Sequence, residues 1–112
     1  MYNFKQGGIK MAKIIGKKIK WLTPTDTSVK AHVVYLVKEA QTLDYLSPKV
    51  EVAMPTVELT LPASFDMSTE GNYKIGISAK DSAGNESDMA TVIRPFDFTP
   101  PAMPVGLEVV DL

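Results

Sequence analysis

Residues 73–87, YKIGISAKDSAGNES, restrict the chain more than any other stretch. Tyr73, Ile75, Ile77 and Ala79 alternate with Lys74, Gly76, Ser78 and Lys80, the period of two expected of a strand with one buried face. Asp81-Ser82-Ala83-Gly84-Asn85 then reads as a hairpin turn, because Gly and Asn tolerate positive φ. Met89 to Arg94 returns as the partner strand, and Pro95 ends it.

The rest of the chain repeats this style. Eight prolines and seven glycines fall mostly between short apolar runs, which indicates strands and turns. Runs near 9–15, 17–22, 31–38, 49–53, 57–61, 73–80, 89–94 and 105–110 have strand character. Ile19 and Trp21 alternate with outward lysines, and Gly16 separates two strands or marks a bulge. The Trp21 ring is expected in the core. Ala31–Val37 is apolar and β-branched enough for a central strand, buried on one face and partly covered on the other. Val57, Leu59 and Leu61 point inward until Pro62, and Phe65 and Met67 tuck under the sheets. The expected fold class is therefore all-β, a two-sheet antiparallel β-sandwich of about seven strands.

With 112 residues and 45% hydrophobic content, one domain with one core is expected. It divides into a loose leader at 1–10, a sandwich at 11–98, and a proline-rich linker with a strand-like tail at 99–112. No apolar run approaches the ~18 residues of a membrane span, and residues 1–18 lack the apolar core of a secretory signal. The compartment is left open.

Chemistry has little to work with. Without cysteine there is neither a disulfide nor a thiolate metal site. His32, the single histidine, lies within an apolar strand and reads as structural. Asp81, Glu86 and Asp88, with Asn85, could offer oxygens to calcium, but their spacing is not that of an EF-hand. The plainer reading is a turn in which Asp81 and Asn85 bond their own backbone. No catalytic, cofactor-binding or metal-ligating set is assigned, and an enzyme is the least favoured class.

Charge is uneven. Lys5, Lys10, Lys13, Lys17, Lys18 and Lys20 precede the first acid. They read as a solvated strand edge that discourages edge-to-edge pairing. The alternative is a patch for an anionic partner, but it lacks arginine and interleaved aromatics, so nucleic acid is not expected.

Five pieces of this text together resemble the fibronectin type III and related immunoglobulin-like sandwiches. They are Trp21 after Ile19-Lys20, the VVYLV strand at 33–37, the Leu59–Leu61 strand, Tyr73 opening YKIGISAKD, and the AGNES that follows. The resemblance covers roughly residues 15–95. It implies a tyrosine corner at Tyr73, whose hydroxyl bonds back to upstream backbone. It also implies a non-catalytic spacer or protein-binding scaffold, with end loops and open edges as contact surfaces. No proline-led first strand precedes Ile15, and PPAMPVGLEVV looks like a linker and the first strand of a following domain. Leu107, Val109 and Val110 could instead add a strand to an open edge, in their own subunit or in a partner, so homo-oligomerisation through 105–110 is an expectation. Two other readings are a carbohydrate-associated module using Tyr35, Tyr45, Phe96 or Phe98, and a structural subunit of a phage or surface assembly.

Overall fold

A computed structural model describes residues 12–112. Its strands are β1 (Lys17–Lys20), β2 (Val29–Lys38), β3 (Lys49–Ala53), β4 (Glu58–Leu61), β5 (Gly71–Asp81) and β6 (Ala90–Phe96), with no helix among the described residues. They form two antiparallel sheets, a two-stranded one of β1 and β4 and a four-stranded one in the order β3-β2-β5-β6. The expected alternation is realised. Val34, Leu36, Val52, Leu61, Tyr73 and Ile75 meet in the core, and Ile19, Trp21, Leu59 and Ile77 pack partly against it. Phe65, Met67 and Phe98 join from outside the strands.

β2 is buried from Ala31 through Val37, more completely than a one-faced strand. The second cover comes from segments 41–47 and 82–89, which fold across the outer face of the large sheet. The Tyr35 ring meets Tyr45 edge-on at 5.8 Å, and the Tyr45 hydroxyl donates to the Ser87 carbonyl at 2.8 Å. Gly76 makes room for this cover. A Cβ there would lie 2.6 Å from Met89 Sδ and 3.0 Å from Leu43 Cδ2, a close approach of the kind that places glycine inside a strand.

Six strands form among the described residues, against an expectation of about seven. Of the run at 9–15, residues 9–11 lie outside the described residues, and 12–15 carry no strand. The run at 105–110 is not a strand either. It has no strand partner among the described residues, and Gly106 interrupts its extension with φ 71°. Pro95 does not end β6, which continues to Phe96 with Pro95 opposite Asn72. β6 is an edge strand, where half of the N–H groups need no partner and a proline is accommodated. At the turn after β5 Gly84 takes φ 91°, while Asn85 does not adopt positive φ.

Tyr73 is buried at the start of β5 and its hydroxyl donates to the Thr69 carbonyl four residues upstream. Tyr73→Phe keeps the ring and strands that carbonyl. The expected loss is about 1–2 kcal/mol with no change in fold, read from chemical denaturation with an unaltered slope against denaturant.

Candidate functional site

The two sheets do not close against each other on every side. Among the described residues β1 ends its sheet and β6 ends the other, and between these open edges lies a cleft of about 490 Å³. Ile19, Trp21, Ile75, Ile77, Val92 and Phe96 give it an apolar floor and walls. Lys17, Lys18, Lys20 and Arg94 stand along it, and no acidic residue lines it among the described residues. Each part follows from strand alternation. Ile19 and Trp21 face inward from β1, Ile75 and Ile77 from β5, and the intervening lysines of β1 remain in solvent.

The free edge of β1 also presents backbone. The Trp21 amide donates to the Val57 carbonyl at 3.1 Å. Because backbone groups alternate in direction along a strand, the amides of Ile19 and Lys17 also face β4, whereas those of Lys18 and Lys20 face the open edge. Lys18 Nζ pairs with Glu58 at 3.0 Å. Lys17 and Lys20 have no acidic partner among the described residues.

Trp21 reaches the core as expected but only partly: it is half-buried, and its ring borders the cleft. It leans on His32, with centroids 5.5 Å apart and planes at 56°. His32 is 2% exposed, and neither ring nitrogen finds a hydrogen-bond partner. Burial therefore holds the imidazole below its ordinary value of 6.5. The unfolded chain takes up this proton before the folded one. Stability from this residue is complete above the unfolded value of 6.5 and is lost as pH falls through the lower folded value. His32→Leu removes two unpaired buried nitrogens. The expected result is unchanged stability at neutral pH, or a gain of about 1 kcal/mol, with the histidine's share of the acid slope abolished. Denaturation midpoints across the mildly acidic range read both effects.

The carboxylates after β5 do not converge. Asp81 accepts from the amides of Ala83 (3.0 Å) and Asn85 (2.9 Å) and from the Asn85 side chain (3.2 Å). Those bonds from Asn85 and then Ala83 hold its carboxyl below the usual range. Glu86 turns the other way, onto the outer face of the large sheet. It accepts from the Tyr35 hydroxyl and, at 2.6 Å, from the Ser78 hydroxyl. Asp88 is exposed. Among the described residues no group of three or more His, Asp or Glu could hold a metal ion. The tie from Glu86 to Tyr35 across 51 residues has no local signal; only the inward-or-outward parity of Tyr35 and Ser78 hinted at it.

Of the four aromatics considered for a sugar platform, Tyr35 and Phe98 are buried and Phe96 is partly buried against Tyr73 and Phe98. Tyr45 alone is exposed, at 43%. Lys13, Lys17, Lys18 and Lys20 are exposed on or before β1, as an edge of lysines requires, while Lys5 and Lys10 lie outside the described residues. Burial ends at Phe98, and every residue from Thr99 to Leu112 is exposed. No family model, curated protein or solved structure matches the chain.

Proposed function

We propose that this chain is a non-catalytic β-sandwich module of the fibronectin type III kind, a spacer and scaffold that binds protein by accepting an extended segment in the cleft between β1 and β6. Two features support the kinship, and one departs from it. The strand orders β3-β2-β5-β6 and β1-β4 correspond to the C′-C-F-G and B-E neighbours of immunoglobulin-like sandwiches. The Tyr73 hydroxyl bonds back to Thr69 in the manner of a tyrosine corner. The first strand of such a fold, which would flank β1, has no counterpart among residues 12–16.

The observation that carries the binding role is the pairing of an apolar cleft with a free backbone edge. Strand addition needs both, since main-chain bonds supply affinity and alternate side chains need pockets. The test is an NMR titration of the full chain with extended peptides that alternate apolar and acidic residues. Shifts concentrated on Lys18, Lys20 and the β6 edge are expected. No shift with any such peptide, or shifts confined to the end loops, would overturn the proposal.

A further inference from the structure

Resting on that reading, the structure points to the occupant: we infer that residues 107–110 of a second copy of this chain fill the β1–β6 cleft, joining copies head to tail. The donor segment is apolar and unusually bare. Leu107 is 95% exposed and Val109 98%. In an extended segment Leu107 and Val109 share one face and Glu108 and Val110 the other. Gly106 at φ 71° breaks the extension just before Leu107, so the pairing run starts there and not at Val105.

The acceptor matches in shape and charge. Leu107 and Val109 would enter the apolar cleft beside Ile19 and Trp21, bringing the outward Glu108 alongside Lys18 and Lys20. Residues 100–112 carry Glu108 and Asp111 and no cation, whereas the cleft is lined by cations and no acid. The same lysines repel a second β1 edge, so the charges admit the tail and reject an edge-to-edge partner. Residues 1–11 carry Lys5 and Lys10 and no acid, and are less suited to this rim. Pro100, Pro101 and Pro104 stiffen the connection and hold the donor away from its own sheets. A donor at one site and an acceptor at another make a heterologous contact, which propagates as chains or closes as a ring.

The experiment is multi-angle light scattering of the full chain across a dilution series, beside Leu107→Asp/Val109→Asp and Lys20→Glu, all at exposed or solvent-side positions. The wild-type mass is expected to climb above 12.2 kDa with concentration, and the double variant to remain there. Lys20→Glu should weaken association by about tenfold, and adding Glu108→Lys should restore it. A synthetic peptide of residues 102–112 should bind the non-associating double variant. The inference is overturned if the wild type stays at 12.2 kDa throughout. It is equally overturned if the double variant associates as wild type does. A cleft filled by residues 1–11 or by the chain's own tail would appear as a concentration-independent monomer, and also overturns it. If the tail peptide fails while unrelated alternating peptides still bind, the cleft reading survives and the tail is not its ligand. If no peptide binds, both fall.

Discussion

Glu86→Ala is expected to destabilise the protein by about 2–6 kcal/mol, since it strands two buried hydroxyl donors at about 1–3 kcal/mol each. Tyr35 is 0% exposed and Ser78 1%, and the Glu86 carboxylate accepts from both. The loss is of anchoring as well as hydrogen bonding, because Glu86 ties the segment after β5 onto the outer face of β2. Burial alone would raise the Glu86 carboxyl. Hydrogen bonds from Ser78 and Tyr35, with the nearby charges of Lys49 and Lys80, outweigh it and hold the group below its ordinary 4.5. The folded form thus binds the proton later than the unfolded one. The stability from Glu86 is present above 4.5 and lost as pH falls through the lower folded value. Glu86→Gln retains an acceptor and costs less, but removes that acid dependence. Urea denaturation at neutral and acid pH separates the variants. An alanine variant as stable as wild type would mean that the outer face is wet.

Leu61→Ala is expected to cost about 2–5 kcal/mol, the range for a fully enclosed leucine. Leu61 is 0% exposed at the end of β4 and packs into the core from the two-stranded sheet. Little else holds that sheet in place. β1 and β4 contribute only four residues each, and Ile19 and Leu59 are partly buried. The loss should therefore appear first as faster amide exchange in β1 and β4, ahead of β2 and β5. Uniform acceleration through all six strands would show that the two sheets unfold as one unit.

The strands were legible in the sequence wherever the period of two was clean. β3 at 49–53 and the inward set Tyr73, Ile75 and Ile77 follow directly from alternation. Alternation reports a face, however, and not what covers it. Burial of Tyr35 on the outer side of β2 depends on Leu43, Tyr45, Glu86 and Met89 arriving from two distant loops, a tertiary fact with no local mark. The turn at Asp81–Asn85 was readable because Asx chemistry is local. The half-exposure of Trp21 was not, because it depends on how the two sheets meet at the cleft between β1 and β6. Residues 105–110 have strand chemistry, but they pair with no strand among the described residues. Composition had marked both ends as anomalous, one basic and one apolar with acids. We propose that those two anomalies are an acceptor edge and its donor.

The most direct test of that account is hydrogen exchange at single amides of β1, measured on the full chain at low and high protein concentration. Ile19 and Trp21, whose amides face β4, serve as internal references. The account predicts that the amides of Lys18 and Lys20 exchange freely in dilute solution and become protected as concentration rises. In Leu107→Asp/Val109→Asp they should stay unprotected at every concentration. Lys18 and Lys20 amides that exchange at one unchanging rate in wild type across the whole range would contradict it.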